Sequence, residues 1–138
     1  MLFLLIAFAG FLDASYLAAK YFLGSPVICN LLKGCEIVTS SKYSVMFGIP
    51  IALMGSLYYL ALLILTVVFF DTGRSVFLKA AAYGTVFGFI ASLYFVYLQF
   101  FVIKALCLYC LLSAVSSTVL LVLGGLVIYR SKQNPLSQ

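Results

Sequence analysis

Four cysteines are the residues in this chain whose type and spacing could do chemistry. Cys107 and Cys110 form a C-x-x-C motif. On a helix they would occupy neighbouring positions of one face, with Cα atoms about 5–6 Å apart, a separation a disulfide accepts. Placed in a first helical turn, they would lie where free N–H groups and the helix dipole favour a thiolate, and Lys104 adds positive charge nearby. Such a pair is suited to redox cycling, though a static disulfide or two packed thiols fits the same spacing. Cys29 and Cys35 flank a short segment containing Gly34, so a loop disulfide between them is plausible, either as a staple or as a mobile dithiol. Two pairs on one surface would form a relay for thiol–disulfide exchange. A single Cys₄ zinc site is the alternative, but the Cys29–Cys35 spacing is longer than is usual for zinc ligands, and no metal is expected.

Other catalytic chemistries are poorly supplied. There is no histidine, which excludes imidazole catalysis and His-ligated metals, and the only acids are Asp13, Glu36 and Asp71. A hydrolase built on paired carboxylates is therefore not expected. The eight Lys and Arg residues are dispersed and read as charges flanking a membrane rather than as a nucleic-acid patch.

The elements that position the cysteines follow from composition. Only 8% of residues are charged and 66% are hydrophobic, whereas soluble domains carry about 25% charged residues. Four runs reach the ~20 mostly apolar residues needed to span a bilayer: about Leu2–Leu23, Gly48–Phe70, Phe77–Ile103 and Leu106–Tyr129. The expected fold is an all-α integral membrane protein, a four-transmembrane-helix bundle forming one domain over 1–138. Its cysteine-bearing loop, 24–47, joins the first two helices. The first run lacks a basic n-region and is read as a retained membrane helix rather than a signal peptide.

With four spans, the termini share one side, and the 24–47 loop and the 103–107 junction share the other. Both cysteine pairs are thus expected on one membrane face. Charge does not orient the bundle. Arg74, Lys79, Arg130 and Lys132 on the termini side balance Lys20, Lys33, Lys42 and Lys104 on the other. Disulfides persist in oxidising compartments, which favours cysteines on a periplasmic, extracellular or lumenal (extracytoplasmic) face, with cytoplasmic termini.

Asp13 lies in the middle of the first run, where an ionisable group is expensive and usually functional. Alternatively, it could be satisfied by hydroxyls in the bundle interior. Ser40, Ser41 and Tyr43 could bond a ligand carbonyl or cap the second span. Gly48 and Pro50 are expected to open that span, because Pro is favoured in a first helical turn.

The run from Cys35 through Ser41, Tyr43, Gly48 and Pro50, followed by Gly55 and Tyr58-Tyr59, resembles the vitamin K epoxide reductase family. Cys107-Leu-Tyr-Cys110 and Asp13-Ala-Ser15-Tyr16 do so as well. The order matters, because another group of four-helix quinone enzymes, the bacterial disulfide-bond oxidases, places its C-x-x-C in the first loop.

The resemblance implies a bundle around a quinone of menaquinone, ubiquinone or vitamin K type. By analogy, Cys110 would sit against the ring and Cys107 would exchange with Cys35. Cys29 would meet an external thiol protein, and Ser41 would help position the reactive centre. The implied activity is oxidation of a thioredoxin-like (DsbA-like) partner coupled to quinone reduction, with reduction of vitamin K quinone or its epoxide as the variant reading. No fused thioredoxin-like domain is present in the chain as read, so that partner is expected to be a separate protein. Where vertebrate members carry a head-group-binding Asn and Tyr, this chain has Ile51 and Ala114. A non-catalytic membrane protein with structural disulfides is the reading from another class.

Overall fold

In hydrocarbon a backbone has to satisfy its own hydrogen bonds, and an apolar run long enough to cross resolves that demand as a helix. The computed structural model describes residues 1–25 and 34–134. Among them are four helices long and apolar enough to span a membrane: α1 (Leu2–Leu23), α3 (Ile51–Thr72), α4 (Ser75–Tyr97, continued to Ile103) and α5 (Leu108–Gln133). The chain is a multi-pass membrane bundle in which α1 packs on α3 and α5, and α4 packs on the same two.

Small residues bring the helices together, as is usual where lipid gives helices no hydrophobic reason to associate. A Cβ added at Gly10 of α1 would lie 2.5 Å from the Tyr59 ring of α3. One added at Gly124 of α5 would lie 3.3 Å from Ala82 of α4. Tyr59 is 1% exposed and reaches from α3 to α5. Its hydroxyl donates to the Ser113 carbonyl at 3.0 Å and pairs with the Ser113 and Ser117 hydroxyls, each at 3.1 Å.

Three features depart from the expected layout. The 24–47 connection is not simply a loop, because it contains helix α2 (Gly34–Ser40), a 3₁₀ turn (Lys42–Ser44) and the start of a hairpin. The hairpin pairs β1 (Val45–Met46) with β2 (Ile49–Pro50). Its two turn residues, Phe47 and Gly48, both have positive φ, as two-residue hairpin turns require. Gly48 therefore turns a hairpin rather than opening a span, and Pro50 precedes the first helical residue, Ile51.

The third run also changes character before it ends. Leu98–Ile103 is a π-helical segment, and Lys104 at φ 53° terminates it. The fourth span begins at Leu108, so Cys107 is its N-cap with extended backbone and not part of the first turn. This moves Cys107 to the mouth of the helix, where the unpaired N–H groups point.

Candidate functional site: a cysteine cluster above an apolar cavity

The junction between α4 and α5 is built to hold Cys107. Its backbone N–H donates to Gln99 Oε1 at 3.1 Å. Gln99 is a polar side chain, 2% exposed, in an otherwise apolar stretch. The π-helical segment carries it, and such segments recur at functional sites.

Helix α2 lies against the same junction. A Cβ at Gly34 would collide with the Leu106 carbonyl oxygen and lie 2.7 Å from the Leu106 nitrogen. Only glycine permits this approach, which sets Cys35 on the mouth of α5. The Leu108 N–H donates to Cys35 Sγ at 3.3 Å. Cys35 and Cys107 are 1% and 0% exposed and share one core cluster with Leu17 and Val38.

The sulfurs differ in state. Cys35 is disulfide-bonded, whereas Cys107 and Cys110 carry free thiols. The Cys110 thiol donates a hydrogen bond to the Cys107 sulfur and lowers its pKa to about 7, and backbone donors at Cys110 and Tyr109 add to this against the opposing cost of burial. Cys29 lies outside the described residues.

Beneath the cysteines is a cavity of about 580 Å³, within the roughly 300–1,000 Å³ typical of small-molecule sites. Cys110 lines it, but Cys107 and Cys35 do not. Its walls are mostly apolar and aromatic, and the polar groups that reach it include Asp13, Ser41, Gln99 and Ser113. Ile51 and Ala114 are also in the lining.

Ser41 reaches the cavity with its hydroxyl already committed. Ser41 Oγ donates to the Val38 carbonyl at 2.8 Å, and Ser40 Oγ donates to the Glu36 carbonyl. These hydroxyls tie off the end of α2 and do not cap α3. Asp13 is not satisfied by hydroxyls at both oxygens, because its buried Oδ2 has no hydrogen-bond partner among the described residues. No group of three or more His, Cys, Asp or Glu suited to a metal occurs among the described residues.

Sequence reasoning singled out Cys35, Cys107, Cys110 and Ser41, and the fold brings all four to one end of the bundle. It missed Gln99 and the bridging role of Tyr59, and it read Gly34 only as letting the Cys29–Cys35 segment close, not as the close approach to Leu106. A lone amide in an apolar run was the available signal for Gln99. For Gly34 no sequence signal exists, since the need for glycine comes from a contact 72 positions away.

No curated protein matches the chain in sequence. The model of the vitamin K epoxide reductase family matches residues 1–124, a stretch that takes in α1, both described parts of the cysteine site and most of α5. This membrane chain therefore belongs to the vitamin K epoxide reductase family, a family of oxidoreductases.

Proposed function

We propose that the protein is a quinone-coupled thiol oxidase. It takes electrons from a separate thioredoxin-like protein on the oxidising side of the membrane and passes them to a membrane quinone. The observation that carries this reading is the sulfur arrangement. Cys110 borders an apolar cavity of ring-accommodating size, while its partner Cys107 packs against Cys35 at the mouth of α5.

In this reading Cys29 and Cys35 are the outer pair. A partner thiolate attacks Cys29, and the partner's second thiol resolves the mixed disulfide, leaving both outer cysteines reduced. The Cys35 thiolate then attacks Cys107 of the oxidised inner pair and expels Cys110 as a thiolate. Cys29 next attacks Cys35, which restores the outer disulfide and leaves Cys107 and Cys110 reduced. The Leu108 N–H favours the thiolate of Cys35 at the moment it attacks. The hydrogen bond from Cys110 favours the thiolate of Cys107. A bridged Cys35 beside free Cys107 and Cys110 corresponds to the stage at which the inner pair holds the electrons.

The cavity suits a quinone in size and apolarity, and Asp13, which lines it, has an Oδ2 with no partner among the described residues. Cys110, Asp13 and the aromatic lining would hold the ring, and Ser41 would support the wall through α2. A bound quinone supplies the two-electron, two-proton acceptor that returns the inner pair to its disulfide. Ile51 and Ala114 offer no hydrogen bond to a head group, which favours a quinone over an epoxide substrate.

The test is quinone consumption by the purified protein in lipid nanodiscs with a reduced thioredoxin-like partner, using native quinone and epoxide in parallel. Wild type should consume the quinone. Cys110→Ala should lose at least about 10²-fold, because the group adjacent to the acceptor is gone. Full turnover by Cys110→Ala would overturn the reading.

A further inference from the structure

Among the described residues, one buried side-chain polar atom of the cavity wall, Asp13 Oδ2, lacks a hydrogen-bond partner. Two tyrosine hydroxyls of the same cavity wall are engaged elsewhere: Tyr58 donates to the Gly84 carbonyl at 3.2 Å, and Tyr59 is bound to Ser113 and Ser117.

No counter-charge is at hand on α1 either. Lys20 is seven positions further on, about 10 Å along the helix, and its ammonium sits over the Tyr16 ring at 5.7 Å. A carboxyl left this way inside a membrane bundle is expensive to keep and marks a site where something else completes the bonding. As the neutral acid it offers one O–H donor, and a quinone ring carries oxygen acceptors. Asp13 on α1 and Cys110 on α5 line the same cavity.

We propose that Asp13 is the hydrogen-bond and proton donor to a ring oxygen of the quinone that Cys110 faces. This rests on the function proposed above and adds a second catalytic residue to it. In the step, Cys107 and Cys110 join in an S–S bond and give up two electrons and two protons. Asp13 hands its proton to one ring oxygen and recovers one of the two thiol protons, and the other thiol proton goes to the second ring oxygen. The dithiol becomes the disulfide, the quinone becomes the quinol, and Asp13 ends as it began.

The test uses Asp13→Asn and Asp13→Leu in nanodiscs, with a radiolabelled naphthoquinone bearing a short isoprenoid tail as the probe. Three quantities are measured: equilibrium binding, the single-turnover rate of inner-pair oxidation at saturating quinone, and thiol exchange from reduced partner to inner pair without quinone. Asp13→Asn keeps an N–H donor, so its Kd should stay within about 3-fold of wild type while its single-turnover rate falls roughly 10²- to 10⁴-fold, the usual worth of a general acid. Asp13→Leu should lose the same rate and also bind about 10-fold more weakly, as expected for one lost hydrogen bond. Thiol exchange should be unchanged in both, which also reports a native fold.

A wild-type rate in Asp13→Asn, or an unchanged Kd in Asp13→Leu, would overturn the assignment while leaving quinone reduction standing. Loss of thiol exchange in both variants would mark Asp13 as structural and overturn it too. Failure of the wild-type protein to bind the quinone would remove the functional reading itself, and this inference with it.

Discussion

Replacing Gly34 by alanine should uncouple the two cysteine pairs while leaving each chemically intact. A Cβ there meets backbone, not a flexible side chain: it collides with the Leu106 carbonyl oxygen and lies 2.7 Å from the Leu106 nitrogen, where ordinary contact starts at 3.4 Å. Helix α2 must therefore retreat by the better part of an ångström. The Leu108 N–H to Cys35 Sγ bond, now 3.3 Å, would stretch to the limit of a sulfur hydrogen bond. Cys35 would then lose both its seat beside Cys107 and the donor that favours its thiolate.

Misplacement of reacting groups by about 1 Å can cost 10²-fold in rate, and overpacking of this kind costs about 1–3 kcal/mol in stability. The assay follows electron transfer from a reduced partner to the inner pair by rapid acid quench and thiol alkylation. Reduction of the inner pair by a small membrane-permeant dithiol serves as the bypass. Gly34→Ala should slow the first about 10²-fold and leave the second within a few-fold. Gly125→Ala, where nothing lies within 4 Å of the added Cβ, should change neither. Partner-driven transfer at the wild-type rate in Gly34→Ala would refute the idea that this close approach seats Cys35 for exchange.

Two further outcomes are expected. In a variant lacking Cys29 and Cys35, thiolate ultraviolet absorbance should rise with a midpoint near pH 7 as Cys107 ionises, and in the additional Cys110→Ala background the midpoint should move upward, because the hydrogen bond lowering it is gone. The sign follows from a depressed thiol pKa: the thiolate is present above pH 7 and lost as pH falls through it. Gln99→Met keeps the volume but leaves the buried Cys107 N–H without its acceptor, which should cost about 1–3 kcal/mol in a reversible unfolding assay in mixed micelles.

The membrane character of the chain and the extent of its spans were legible from residue types alone. An apolar run of about 20 residues has one way to satisfy its backbone in lipid, so α1 was readable to its ends, and the others to within a few residues. The C-x-x-C at the start of α5 was equally legible, because the spacing of two thiols is a property of the sequence. Helix α2 was not. Seven residues are too few to display a helical period or to be stable alone, and what holds them is tertiary: the burial of Cys35 and Val38 against Leu17 and Cys107, and the close approach of Gly34 to Leu106. Asp13 could be seen as anomalous by position, but whether its carboxyl was paired depended on how the helices packed around it. The same holds for Cys107 and Cys110. Sequence put them three apart, but only the packing of α5 against its neighbours decided that Cys110 borders the cavity and Cys107 meets α2. Local periodicity specifies which helices form. Which face of each turns inward is settled by the joint packing of all four, and the chemistry of the site depends on that choice.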